Sequence, residues 1–181
     1  MSLEPKLIPT GSQTVGPFFR IGLEHLIDSA APTERAGLDA ITIRGQVLDR
    51  DCAPVVDAML EFWNASDASA RSNVSSVGFA RAATDDDGNF CVHMARPSAL
   101  ASDDGTLQAP HMLVLVFARG LLRHLISRVY FEGESGNSAD PVLNTISAER
   151  RHTLVAKNED RNSFRWDVIL QGNDETVFFA W

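Results

Sequence analysis

Short stretches of period-two alternation, each bounded by turn-forming residues, recur along the 181-residue chain and limit it to a fold built from many brief strands. Ile41-Thr42-Ile43-Arg44-Gly45-Gln46-Val47-Leu48 alternates as a half-buried strand does, because successive side chains of an extended backbone leave on opposite faces. Met59 to Asn64, Leu125 to Phe131, Phe164 to Leu170 and Thr176 to Phe179 read the same way. Val77 to Ala83 and Asn89 to Met94 flank Asp85-Asp86-Asp87-Gly88, a strong turn signal that predicts a hairpin. Met112-Leu113-Val114-Leu115-Val116-Phe117 is almost wholly apolar, too short for an ordinary helix and rich in β-branched residues, which predicts a strand buried on both faces.

About eight short strands with frequent turns predict a mainly β fold, an antiparallel β-sandwich. One short late helix is expected over Ser147 to Ala156, with Ser147 as its N-cap. Residues 1–22, rich in Gly, Pro, Ser and Thr, read as an extended N-terminal arm, because Pro17 biases Gly16 away from helix. Residues 23–39, a weakly patterned stretch with room for one helical turn, and residues 65–76, 96–110 and 132–146 read as loops. The length suits a single domain, 1–181.

Composition narrows the partners. A net charge of −8, from 16 basic against 24 acidic residues, argues against a nucleic-acid partner. No stretch reaches 18 apolar residues, so no membrane span is expected. The N-terminus has no apolar h-region. Cys52 and Cys91 are not a disulfide framework in a chain this long, which points to reduced thiols and a cytoplasmic setting. Cys91, on an expected strand, reads as a small buried hydrophobe.

The search for local chemistry is mostly negative. The acidic run 85–87 lacks the spaced ligands and distal Glu of a calcium loop and reads as a turn. No Gly-x-Ser-x-Gly elbow, Gly-x-Gly-x-x-Gly turn or phosphate-binding loop occurs. The histidines, His25, His93, His111, His124 and His152, form no His-x-His or His-x-x-x-His pair, whereas a first-row metal needs three or four convergent donors. Trp63, Trp166, Phe117, Phe178 and Trp181 read as core or interface aromatics, and an aromatic C-terminus is expected to pack on the sandwich or a partner.

Three groups of strings, taken in order, resemble the intradiol ring-cleavage dioxygenase family. The first is Ser12-Gln13-Thr14-Val15-Gly16-Pro17-Phe18-Phe19. The second is Ile43-Arg44-Gly45-Gln46-Val47 with Leu60-Glu61-Phe62-Trp63. The third runs from Ala109-Pro110-His111 through Phe117-Ala118-Arg119-Gly120, Arg128-Val129-Tyr130-Phe131 and Asp140-Pro141-Val142-Leu143-Asn144 to Phe164-Arg165-Trp166-Asp167 and the segment Gln171 to Phe179. The resemblance implies a β-sandwich enzyme that binds non-haem Fe³⁺ through two tyrosines, two histidines and a hydroxide, and that opens a catechol ring with O₂ between its hydroxyl-bearing carbons. It further implies a two-chain member in which a homologous β chain carries the ligands, and the α chain has lost them. The substrate implied is the aromatic acid protocatechuate and the product 3-carboxy-cis,cis-muconate.

The residues agree with the α-type reading. The chain has one tyrosine, Tyr130, so two tyrosinates cannot form. The family's His-x-His pair would fall on His111 and Leu113, and leucine cannot ligate. No metal ligand and no catalytic residue is therefore assigned to this chain, and His111 reads as a hydrogen-bonded structural residue. Carried over by position, the substrate-lining residues are Thr14, Gly16, Pro17, Phe18 and Arg119. Phe18 stands where the family has tyrosine; it loses a phenol but can wall an aromatic pocket by stacking. Arg119 could pair with a substrate carboxylate, or be an ordinary salt-bridge residue. Two further readings stay open: a non-catalytic sandwich that binds a partner or forms a homo-oligomer, and a heteromer acting on a related catechol.

Overall fold

The computed structural model describes residues 9–27, 40–64, 78–102 and 105–180. The expected loops over 28–39 and 65–76, the first eight residues of the arm and Trp181 lie outside the described residues. The described residues form one short α-helix, α1 (Pro17–Leu23), and eleven strands. These are β1 (Ala40–Leu48), β2 (Met59–Trp63), β3 (Phe79–Ala83), β4 (Asn89–Ala95), β5 (Leu100–Ala101), β6 (Leu107–Gln108), β7 (His111–Phe117), β8 (Leu125–Phe131), β9 (Val155–Asp160), β10 (Ser163–Arg165) and β11 (Val168–Ile169). Apart from the small β5–β6 ladder, they join one nearly closed sheet in the order β11-β1-β10-β9-β8-β7-β2-β3, with β4 on the other edge of β1.

The sheet is mixed, which corrects the antiparallel expectation. β1 runs parallel to β10 and β11, and β8 runs parallel to β9. Parallel neighbours need a crossover between them. The segment between β8 and β9 is such a crossover, and it includes the stretch expected as the late helix. Only a 3-10 turn, Arg151–Leu154, forms there. The chain then extends as β9, pairing Val155 with Tyr130 and Ala156 with Phe131, so tertiary pairing overrides a local helical preference. The arm is likewise not extended throughout. Gly16 keeps an extended backbone (φ −86°, ψ 177°), but Pro17 opens α1 at the first position, where its missing N–H costs nothing.

The acidic turn forms as expected, with the Gly88 N–H donating to Asp85 O at 3.0 Å. No hairpin ladder follows from it among the described residues. β3 pairs with β2 and β4 pairs with β1, so the turn is a corner between the two halves of the sheet. The segment expected as a last strand, Thr176 to Phe179, is not a strand; it is held by single bonds from Thr176 N–H to Ile169 O and Phe179 N–H to Ile126 O. Cys91 is exposed, because Phe90, Val92 and Met94 take the inward positions of β4 and leave the alternate ones outside. β7 is buried on one face only: Met112, Val114 and Val116 are inside, whereas Leu113, Leu115 and Phe117 are half-buried.

The main core gathers the inward residues of both halves, including Ile41, Ile43, Phe62, Phe90, Val114 and Phe164. Trp166 closes it, with its indole N–H donating to Thr153 O at 2.9 Å. Where β1 passes Trp166 the backbones nearly touch, and a Cβ at Gly45 would collide with the Trp166 carbonyl and with Phe90 Cζ, 2.8 Å away. A smaller core on the other face of β8 holds Tyr130, Leu143, Leu154 and Val177. Its polar centre is Asp140, fully buried. The Asp140 carboxylate accepts from the N–H groups of Ala109 (2.8 Å), Val142 (2.9 Å) and Leu143 (2.8 Å) and from the Tyr130 hydroxyl (3.1 Å). Among the described residues, no helix is long and apolar enough to cross a membrane.

Two stability experiments follow from this packing. Gly45→Ala is expected to lower the stability by about 3 kcal/mol, read as a fall in the urea midpoint, because neither backbone can retreat. Asp140→Ala strands three backbone donors in the interior and is expected to cost about 3–5 kcal/mol, whereas Tyr130→Phe removes the bond to Asp140 and a long one from Arg128 and is expected to cost about 1 kcal/mol. Equal losses in the last two variants would show that Asp140 is not the organiser of this core.

Candidate functional site

Of the residues singled out in the arm, Thr14 meets the turn of Arg119 at the corner where β7 ends. Ala118 to Leu121 form a turn closed by the Leu121 N–H on Ala118 O at 3.2 Å, with Gly120 in the left-handed region (φ +87°) that a side chain would resist. Thr14 reaches this turn: its Oγ1 accepts the Gly120 N–H at 2.7 Å and donates to Val15 O at 3.2 Å. Phe19, in α1, packs its ring against Phe117 at 5.3 Å between centroids. A hydroxyl latch and an aromatic contact thus hold the arm to the sheet. Between arm and sheet runs a cleft of about 560 Å³, lined among others by Gln13, Val15, Phe117, Leu121 and Phe179.

Arg119 projects from the turn and is 63% exposed, with Nε 3.3 Å from Asp57 Oδ2. Gly16 needs no special space within this chain, since nothing lies within 4 Å of a Cβ built on it. Pro17 starts the helix and Phe18 follows as its second residue. The Phe18 side chain lies outside the described residues. Asp57, which carries no motif of its own, was missed from the sequence. The pairing of β2 with β7, invisible in the one-dimensional pattern, brings its turn beside that of Arg119.

His111 and Leu113 occupy successive positions on one face of β7, where the family's histidine pair would stand. His111 is nearly buried and its Nδ1–H donates to Ala109 O at 2.8 Å, leaving one lone pair on Nε2. Its ring lies 5.3 Å from that of Tyr130. Burial chiefly holds the imidazole below its usual pKa; the Arg128 charge adds to this, while the bond to Ala109 and the Asp140 charge oppose it. Burial also pushes the Tyr130 phenol well above its usual value, so this tyrosine stays protonated and donates to Asp140. Arg128 Nη1 donates to Gln108 Oε1 at 2.7 Å and to the Tyr130 hydroxyl at 3.4 Å. Ferric iron calls for several anionic oxygen or nitrogen donors. Here one imidazole has beside it a leucine, a neutral phenol, a guanidinium and the Asp140 carboxylate, whose oxygens are already taken by three backbone N–H groups and the phenol, a set that does not fit the ion. Among the described residues, no three His, Cys, Asp or Glu converge as metal donors.

Comparisons with known proteins agree with this geometry. The family model described as Dioxygenase matches residues 24–172. The protocatechuate 3,4-dioxygenase alpha chain of Burkholderia cepacia is 41% identical over 193 aligned residues, which cover 94% of this chain and 96% of that one. The protocatechuate 3,4-dioxygenase beta chain of Burkholderia cepacia is 21% identical, covering 92% of this chain and 77% of that one. In fold, the chain is similar to 3-chlorocatechol 1,2-dioxygenase from Rhodococcus opacus 1CP, with a TM-score of 0.61 at 17% identity over 91% of this chain and 68% of that one. The chain belongs to the iron-dependent dioxygenase family whose model it matches, the family of intradiol ring-cleaving enzymes.

Proposed function

We propose that this chain is the α subunit of a heteromeric protocatechuate 3,4-dioxygenase, in which a homologous β chain holds the Fe³⁺ and this chain completes the substrate pocket. The observation that carries the reading is its likeness, over nearly its whole length, to the α chain of a two-chain enzyme, in a molecule whose own interior donors do not suit ferric iron. The holoenzyme converts protocatechuate and O₂ to 3-carboxy-cis,cis-muconate. The ring-opening chemistry belongs to the β chain's iron centre.

What this chain supplies is shape and one charge. Arg119 spends its Nε edge on Asp57 and keeps its two terminal nitrogens for the carboxylate of the substrate, a pairing that suits the planar guanidinium. Thr14 pins the arm to the same turn, so that Gly16, Pro17 and Phe18 enter the partner's pocket from a fixed anchor. Gly16 has open space where a Cβ would be, which leaves its backbone approachable from outside the chain. Phe18 supplies an aromatic wall without a hydroxyl.

Co-production with a β chain is expected to give a stable complex of defined size that cleaves protocatechuate; a chain that stays apart from every β-type partner would count against the reading. Within the complex, Arg119→Ala is expected to raise the KM for protocatechuate by about ten-fold or more, and to leave the KM for catechol, which has no carboxylate, almost unchanged. Thr14→Val removes the acceptor for the Gly120 N–H and is expected to raise the KM for both substrates by about two- to five-fold, with Thr14→Ser close to the parent. Loss of protocatechuate and catechol alike in Arg119→Ala would assign that arginine to assembly.

A further inference from the structure

We propose that Asp57 is a positioning residue: it fixes the guanidinium of Arg119 so that its terminal nitrogens present a ready-made carboxylate clamp to the partner's substrate. This rests on the reading of Arg119 as a pocket residue. The first ground is register. β2 and β7 pair antiparallel with Met59 opposite Phe117 at the end of the ladder, and Asp57, in the turn that leads into β2, lies beside Arg119, in the turn that leaves β7. The end of that ladder sets the two turns side by side, and there Arg119 Nε lies 3.3 Å from Asp57 Oδ2. Asp57 is anchored on its other side too, because the next residue, Ala58, donates its N–H to Thr84 Oγ1 at 2.9 Å and accepts the Thr84 N–H at 3.0 Å.

The second ground is the unequal burial of the pair. The Asp57 side chain is 10% exposed while that of Arg119 is 63% exposed. Asp57 Oδ1 is buried with no hydrogen-bond partner among the described residues. A carboxylate oxygen kept from water without a donor is costly, and an ion pair with one partner in solvent returns little. As a device for stability the pair is poor. As a device for orientation it is better suited, because a buried carboxylate at one fixed place favours, among the many rotamers of a long cationic side chain, those that keep its charge close by.

The third ground is which edge is used. Asp57 Oδ2 faces Nε, and among the described residues neither terminal nitrogen of Arg119 has a hydrogen-bond partner. The end-on pair of N–H groups, the one that binds a carboxylate with two parallel bonds, is therefore left outward. With the Gly120 N–H taken by Thr14, the turn that carries Arg119 is held from both sides.

The test uses the αβ complex and two substrates, protocatechuate and catechol. Asp57→Asn keeps the shape and removes the charge; it is expected to raise the KM for protocatechuate about five-fold, with kcat within about two-fold of the parent and the KM for catechol unchanged. In the Arg119→Ala background the same change is expected to add nothing, since Asp57 acts only through that side chain. Asp57→Glu, which keeps the charge but displaces it by one methylene, is expected to fall between parent and Asp57→Asn, and it carries the test if Asp57→Asn fails to assemble. If Arg119→Ala selectively weakens protocatechuate while the Asp57 variants do not, the inference fails and the pocket reading stands. If Arg119→Ala itself shows no selectivity, the pocket reading fails. Equal losses for both substrates in the Asp57 variants would make Asp57 a folding residue and overturn the proposal.

Discussion

β7 lies between β2 and β8, and its register with each decides what the rest of the molecule can do. At its C-terminal end, pairing with β2 stops at Phe117, and the turn that follows carries Arg119 beside Asp57. At its N-terminal end, pairing with β8 sets His111 opposite Tyr130. The backbone ladder is cooperative and its side-chain period is two, so a slip of one residue would turn every one of these groups to the wrong face. Both the corner offered to a partner and the closed interior cluster therefore depend on one strand being held in one register by apolar burial of Met112, Val114 and Val116.

The two ends of that strand have opposite chemical characters. At the interior end most groups are answered: Tyr130 gives its proton to Asp140, Arg128 is held by Gln108, and His111 donates to its own strand's approach, keeping one lone pair on Nε2. Such a network stabilises a core, and a single imidazole lone pair is little to offer an ion. At the corner end the balance is the reverse. Arg119 is mostly in solvent with its terminal nitrogens unclaimed, and the arm is tied down only far enough to hold its direction. A fold that encloses its own polar groups at one end and presents a held cation at the other is suited to complete a neighbour's site.

Much of this was legible from the residues. Strong period-two segments such as Ile41 to Leu48 and Leu125 to Phe131 became strands nearly at their expected limits, since their apolar alternation agrees with the burial they meet. The single tyrosine and Leu113 already told against a self-contained iron site. What the pattern hid was long-range. Parallel pairing of β8 with β9 draws an apparent helix into a strand. The split of β3 from β4 is decided by their other neighbours, β2 and β1, not by the turn between them. Asp57 looks like any loop acidic residue until the β2–β7 register sets it against Arg119. Cys91 was misread because a strand's burial phase is fixed by the sheet, not by the residue's own hydrophobicity.

The central claim is that Arg119, held by Asp57, reaches across to the substrate of a partner's iron site while this chain's own interior stays free of the metal. The most direct test is a crystal structure of the αβ complex with protocatechuate, with anomalous scattering used to locate iron. Iron is expected in the β chain alone, with the Arg119 terminal nitrogens within hydrogen-bonding reach of the substrate carboxylate, directly or through one water. Iron bound beside His111, or Arg119 turned to bulk solvent away from the bound acid, would contradict it.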